Sequence, residues 1–224
     1  LPLQSQLDPK AGKLVAMCLD KQGRGWTLWH EKQTQAKGSD QVERLRWLDV
    51  SSTQTQPVLG PPVYSTKIFS GVQNVDIDEY HELLWGGRAP LVIDPADPAR
   101  LYMIAWELRL VPSSVQGQDA GLNARDTPWT YARLELLTFK ADAARDKAEL
   151  TGRLDLRPYF VLSPSMESNR MAVSYCLPRL FLHGKTLVMR GVSFATRLDQ
   201  LVIVDVSDPR SEERRVGKEC RSRW

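Results

Sequence analysis

Acidic side chains and one histidine are concentrated at residues 74–82, which read NVDIDEYHE. Asp76 and Asp78 offer carboxylate oxygens, the ligands that Ca²⁺ and Mg²⁺ prefer, and His81 adds a nitrogen donor. The spacing matches no established metal-binding loop, so a solvated acidic turn is the alternative interpretation. We predict a candidate Ca²⁺ or Mg²⁺ site at Asp76, Asp78 and His81, and the sequence identifies no other cofactor.

Two short segments combine large aromatic residues with threonine: residues 26–29 (WTLW) and residues 129–131 (WTY). Both precede a strand-like run, which suggests equivalent positions. If they were exposed, the rings would form a platform for a sugar or a peptide. The alternative is packing between neighbouring sheets, since large aromatic residues dominate protein cores. The candidate binding residues are Trp26, Trp29, Trp129 and Tyr131.

Two further motifs that could perform chemistry are incomplete. Residues 183–186 (HGKT) end like a phosphate-binding loop, but Arg179 stands where that loop needs its first glycine. Residues 191–195 (GVSFA) approach the nucleophile elbow of hydrolases, but Ala195 replaces the last glycine and every histidine precedes Ser193. We therefore predict no catalytic residue.

The elements that must position these residues read as strands. Apolar runs rich in Leu, Val, Ile and aromatic residues are short and bounded by Gly, Pro, Asp or Ser, which favours strands over helices. One phrase recurs with Asp or Thr fifth and Val or Phe sixth, and a second strand-like run precedes each copy. The copies are residues 45–50 (LRWLDV), 134–139 (LELLTF) and 201–206 (LVIVDV), and the preceding runs are 12–17, 99–104 and 184–189. This pattern predicts an all-β protein built from repeated strand pairs.

The repeat divides residues 1–209 into three approximate units, 10–92, 93–166 and 167–209. Copies are 89 and 67 residues apart, more than the roughly 40–45 residues of a four-stranded propeller blade, so blades would need long insertions. Residues 33–41 and 112–128 have loop composition and are predicted to be such insertions, where binding would occur. A β-sandwich or a β-solenoid that repeats a strand pair is the alternative architecture.

Residues 210–224 (RSEERRVGKECRSRW) differ in composition from the rest of the chain. Back-translated, the run resembles a widely used sequencing adapter, so we expect a non-native tail on a fragment of a longer protein. Its six Arg and Lys against three Glu account for the whole net charge of +3. The charge balance therefore does not indicate nucleic-acid binding. No apolar run approaches the ~20 residues of a membrane span.

Two cysteines, Cys18 and Cys176, lie outside that tail. Their separation forms no metal-ligand pattern, and they could be a disulfide, two buried thiols or unrelated. The residues alone leave the cellular compartment open.

Residues 198–209 (LDQLVIVDVSDP) resemble the LVIVD-type repeat of bacterial β-propellers, and residues 92–104 (VIDPADPARLYMI) resemble the turn and strand of other propeller repeats. In both, Pro ends the strand ladder and Asp can bond the turn backbone. The resemblance implies an incomplete β-propeller-like repeat of antiparallel sheets in a bacterial, periplasmic or extracellular protein. It implies a binding module for a protein or carbohydrate partner. The alternatives are a propeller-type enzyme with a metal or cofactor near residues 76–82, and the soluble portion of a membrane or envelope protein.

Overall fold

The computed structural model describes residues 12–35, 38–51, 56–70, 90–110, 129–142, 147–160, 178–193 and 198–207. Every regular element within these ranges is a β-strand. The described part of the chain therefore contains no helix that could cross a membrane. The protein is all-β, as its β-branched and aromatic runs predict.

The strands form three consecutive sheets, and neighbours in sequence pair with each other almost throughout. The first sheet contains β1 (Lys13–Leu19), β2 (Arg24–Gln35), β3 (Gly38–Asp49) and β4 (Val58–Lys67). The second contains β5 (Phe69–Ser70), β6 (Leu91–Ile93), β7 (Arg100–Leu110), β8 (Trp129–Ala141) and β9 (Ala148–Asp155). The third contains β10 (Arg179–His183), β11 (Thr186–Ser193) and β12 (Leu198–Asp205).

All three sheets are antiparallel meanders that run in the same sense. The first strand of each pairs with the second, and the second with the third, so that β1, β6 and β10 correspond, as do β2, β7 and β11, and β3, β8 and β12. The same backbone hydrogen bond closes each second-to-third pairing: Val50 donates to Gly23, Ala141 to Ala99, and Val206 to Lys185. The recurring phrase found in the sequence is thus the third strand of each sheet. β4 and β9 are the fourth strands of the first two sheets. Among the described strands, β5 is the exception, because it pairs in parallel with β7.

The second sheet is packed between the other two. Residues 101–106 of β7 are all buried, and alternate side chains of a strand point to opposite faces. The odd-numbered ones share a core with Trp26, Leu28 and Leu45 of the first sheet. The even-numbered ones share a core with Leu187 and Met189 of the third. Full burial of a large apolar side chain contributes about 1.5–3 kcal/mol, so these two cores hold the three sheets together.

The first strands of the three sheets lie side by side, because β6 contacts both β1 and β10. Antiparallel meanders stacked face to face, with their first strands together, are the arrangement of propeller blades. The described chain is therefore an incomplete, propeller-like stack of three sheets, the third of which has three strands. The second sheet includes β5 at residues 69–70 and β6 at residues 91–93.

Aspartates end the strands as the Asp-Pro pattern predicts. The Asp94 carboxylate accepts a hydrogen bond from the backbone N–H of Ala96 at 2.9 Å, and that of Asp205 accepts one from Ser207 at 2.9 Å. Asp49 makes the same bond to Ser51 at 2.8 Å in the first sheet. These side chains satisfy the turn backbone where the ladder stops.

The first sheet differs from the sequence prediction in two respects. Residues 33–41 are not a loop insertion, because β2 continues to Gln35, β3 begins at Gly38, and Gln33 pairs with Asp40. Residues 12–17 are not equivalent to residues 99–104 and 184–189, because they form the first strand of their sheet whereas those runs form second strands. Backbone pairing in a hairpin does not require apolar side chains, so the polar half of β2 gave no strand signal. The predicted insertion at 112–128 lies outside the described residues.

Candidate functional site

One end of the stack, which we call the loop end, is where β2, β7 and β11 finish and β3, β8 and β12 begin. The chain also leaves β4 and β9 at this end and enters β6 and β10 there. The opposite end, the turn end, carries short turns such as the one at Gly184, whose φ is 57°. Connections that rise from a rigid scaffold are where proteins most often place binding residues.

Beneath the loop end, a buried polar cluster joins the first two sheets. His30 Nε2 lies 2.9 Å from Oε1 of Glu43, and the indole Nε1 of Trp106 donates to the same oxygen at 3.1 Å. His30 and Glu43 lie on β2 and β3, whereas Trp106 lies on β7. Because an indole N–H can only donate, Glu43 Oε1 is an acceptor in this contact.

A histidine held by a carboxylate is an arrangement that can orient a general base. Here, however, the Glu43 side chain is fully buried and that of His30 is only 3% exposed. Glu43 Oε2 is also buried and has no hydrogen-bond partner in the described part of the structure. A reacting group would have to reach a site that is closed to solvent. The geometry therefore favours a structural role, in which the cluster links the two sheets.

A second cross-sheet contact lies next to the first. Arg133 of β8 donates to the Thr66 hydroxyl of β4, to the Tyr64 hydroxyl at 3.4 Å and to the Lys67 carbonyl at 3.3 Å. Its guanidinium also lies 4.0 Å from the Glu135 carboxylate. An arginine presents several donors in one plane, so a single side chain fixes the end of β4 against β8. Both ties place the ends of the first two sheets in a fixed relation.

The tryptophans of the first sheet are core residues. Trp26 and Trp29 are both 0% exposed. The Trp26 ring packs edge-to-face on Trp47 with centroids 5.3 Å apart, and Trp29 Nε1 donates to the Thr27 hydroxyl at 2.7 Å. They therefore occupy the packed position and not the exposed platform: Trp26 shares a core with the second sheet, and Trp29 packs against Leu48 within its own sheet.

Trp129 and Tyr131 are not equivalent to that pair. They begin β8, the third strand of its sheet, and their backbones pair with Leu110 and Leu108 at the loop end. Trp26 and Trp29 lie instead within a second strand. The side chains of Trp129 and Tyr131 lie outside the described residues.

The candidate metal ligands Asp76, Asp78 and His81 also lie outside the described residues. Among the residues that the structure does describe, no three His, Cys, Asp or Glu side chains are grouped so as to hold a metal ion. Cys18 is a free thiol, and Cys176 lies outside the described ranges.

Sequence patterns do not indicate the cluster of His30, Glu43 and Trp106. Glu43 is 13 residues from His30 and 63 from Trp106, so no local motif links them. Only the pairing of β2 with β3 and the stacking of two sheets bring them together. A charged residue within an apolar third strand, as Glu43 is just before LRWLD, is the one local indication of a buried polar contact.

No family model and no curated protein sequence matches the chain significantly. Among solved structures, the chain is similar to the β-propeller domain of Nup133 from Vanderwaltozyma polyspora, with 13% sequence identity and a TM-score of 0.39. The match covers 97% of this chain and 49% of the other, so the chain spans about half the length of that structure. The fold assignment rests on the strand order and the packing of the three sheets.

Proposed function

We propose that the chain is a binding module that holds a protein partner at the loop end of its sheet stack. The observation that supports this proposal is that the three meanders run in the same direction. As a result, the second strand of each sheet ends, and the third begins, at the same end of the stack, and the chain also passes from one sheet to the next at that end. Repeated sheets in this arrangement provide a surface far broader than one hairpin could. A broad surface suits a macromolecule.

The two cross-sheet ties support the same proposal. Glu43 with Trp106, and Arg133 with Thr66, fix the first two sheets directly beneath the loop end. A scaffold that is already ordered does not lose conformational entropy when a partner binds, so more of the contact energy remains as affinity. The aromatic residues Trp129 and Tyr131 begin β8 at this end, and these residue types are enriched in the centres of protein interfaces.

The proposal includes the setting that the LVIVD-type resemblance implies, a bacterial protein in the periplasm or outside the cell. Residues 198–209 carry that resemblance. A carbohydrate partner would use the same end of the stack and the same aromatic residues, and a glycan array is its direct test.

Position-specific photo-crosslinking tests the proposed function. Lys67 is the last residue of β4 at the loop end, and Lys147 precedes β9 at the turn end; both are exposed. Each is replaced in turn by a photoreactive phenylalanine, and the protein is irradiated in cells that express it naturally. We expect a discrete protein adduct from position 67 and none from position 147. Adducts from position 147 alone, or from neither position, would contradict the proposal.

A further inference from the structure

The outer face of the third sheet, which points away from the second sheet, carries three rows of side chains. Alternate residues of its strands point inward to the shared core, among them Leu180, Leu187 and Val202, so the intervening residues form the outer face. The strand register places them directly opposite each other. The rows are Arg179, Arg190 and Leu201; Phe181, Val188 and Ile203; and His183, Thr186 and Asp205.

The middle row, which we call the apolar row, leaves Phe181 53% exposed. Val188 and Ile203 beside it are half-buried. An exposed phenylalanine flanked by two β-branched residues is an apolar strip of the kind that marks an interaction surface.

The corresponding rows of the other two sheets are covered by the next sheet in the stack. The first sheet has Cys18, Trp26 and Trp47 at these positions, and the second has Val92, Tyr102 and Thr138. Trp26 and Tyr102 are 0% exposed because the neighbouring sheet packs on them. The apolar row of the third sheet thus continues two established interfaces, but here the covering sheet is not part of the described structure.

The charges on either side of the apolar row are opposite. Arg179 and Arg190 lie directly across from each other on one side. Asp205 lies on the other side, across from Thr186. A two-fold axis along the apolar row would set the arginine row of one copy against the Asp205 row of another. Arg190 would then be offset along the row by one strand spacing, ~4.8 Å, from Asp205 of the partner subunit, across the ~10 Å that separates stacked sheets. A long arginine side chain can bridge that separation.

We propose that a second copy of the chain covers this face, and that the protein is a homodimer joined through the outer faces of its third sheets. The face is self-complementary, which an interface with two-fold symmetry requires: apolar row on apolar row, and cations against a carboxylate on both sides. This surface is distinct from the loop end, so the dimer and the proposed binding function stand or fall separately. In such a dimer the two loop ends point in opposite directions.

Sedimentation velocity over a concentration series of the purified chain tests the dimer. We expect a species of twice the chain mass of 25.4 kDa, which Phe181→Asp converts to monomer. Met17→Asp is the matched control, because Met17 is 52% exposed on the first sheet and should leave the dimer intact. A wild-type chain that stays monomeric, or a dimer that survives Phe181→Asp but not Met17→Asp, overturns the proposal.

Charge reversal gives a second test that does not depend on the fold of the Phe181 variant. Arg190→Asp and Asp205→Arg should each weaken dimerisation about tenfold or more, and the double variant should recover most of that loss. Circular dichroism of each variant serves as the control for folding. Additive losses in the double variant would show that the two residues do not meet across the interface, and the proposed packing would then be wrong.

Discussion

A single oxygen atom, Glu43 Oε1, holds together side chains from three strands and two sheets. It lies within hydrogen-bonding distance of His30 and Trp106 and is fully removed from solvent. Burying a carboxylate is expensive unless its hydrogen bonds are made, so removing one donor leaves a penalty that packing alone does not offset. The contribution of this contact to the free energy of unfolding can therefore be separated from that of packing.

Replacing Trp106 by Phe should destabilise the fold by about 1–3 kcal/mol more than replacing Trp26 by Phe. Both indoles are fully buried, but Trp106 donates to Glu43, whereas the Nε1 of Trp26 has no acceptor among the described residues. Urea unfolding of the two variants gives the comparison. Equal losses would show that the Trp106 bond contributes nothing beyond packing.

The thiol of Cys18 should be unreactive in the folded protein. Burial raises the pKa of Cys18 from 9.0 to about 12, against a smaller lowering from a backbone hydrogen bond at Trp26. Because the thiolate is the nucleophile, a raised pKa keeps the protonated, inert form through neutral and mildly alkaline pH.

Alkylation by iodoacetamide at pH 8, followed by peptide mass spectrometry, measures this reactivity at Cys18 itself. The rate in the native protein should be on the order of a hundredfold or more below the rate in urea, where the thiol regains its ordinary pKa. Similar rates in the two conditions would place Cys18 on an accessible surface.

At the scale of the element, the third strands were the most predictable. β3, β8 and β12 contain the recurring phrase, because each is an apolar run and two of them end in an aspartate that bonds the following turn. Two local signals therefore predict such strands: the apolar run itself and the aspartate turn that follows it. The all-β class follows from the same signals.

The second strand of the first sheet could not be predicted from such local signals. Trp26 to Trp29 are apolar, but the strand continues through His30 and Glu31 to Gln35, and such polar residues satisfy no strand periodicity. Backbone pairing with β3 extends it to that point. The end of β2 and the start of β3 thus occupy residues 33–41, which the sequence predicts to be a loop. Of the two interpretations of Trp26 and Trp29, the structure has the packed one.

Close approach of two strands makes Gly25 of β2 irreplaceable. A Cβ at this position would overlap the carbonyl oxygen of Cys18 on β1, and backbone cannot move aside as a side chain can. Gly25→Ala should lower the free energy of unfolding by about 2 kcal/mol or more.

Gly60 of β4 offers a matched control, since a Cβ there would meet the Trp47 side chain at an ordinary 3.4 Å. Gly60→Ala should change stability by less than about 1 kcal/mol. Chemical denaturation distinguishes the two glycines, and a tolerated Gly25→Ala would mean that β1 does not pair with β2 in the register described.

For the whole molecule, the position of the second sheet is the central feature. Its β7 contributes odd-numbered side chains to one core and even-numbered ones to the other, and Leu134, Leu136, Leu137 and Phe139 of β8 are divided in the same way. A sheet covered on both faces is shielded from water more completely than a sheet covered on one. The outer two sheets each leave a face with exposed apolar residues, Met17 on the first and Phe181 on the third.

This arrangement also explains which part of the architecture the sequence could not supply. The unbroken apolar run at residues 101–106 indicates a strand covered on both faces, but it does not say which sheets do the covering. Stacking order depends on contacts between residues such as Leu101 and Trp26 that are far apart in the chain. No local sequence pattern indicates contacts between residues so far apart in the chain.

Amide hydrogen exchange resolved by residue tests the stacking most directly. Exchange in a folded protein reports the free energy of local opening, so the amides of residues 101–106 and 134–139 should be the slowest in the molecule, with the first and third sheets exchanging faster. If the slowest amides fall instead in β1–β4 or β10–β12, or if residues 101–106 exchange as fast as the outer sheets, the second sheet does not lie between the other two.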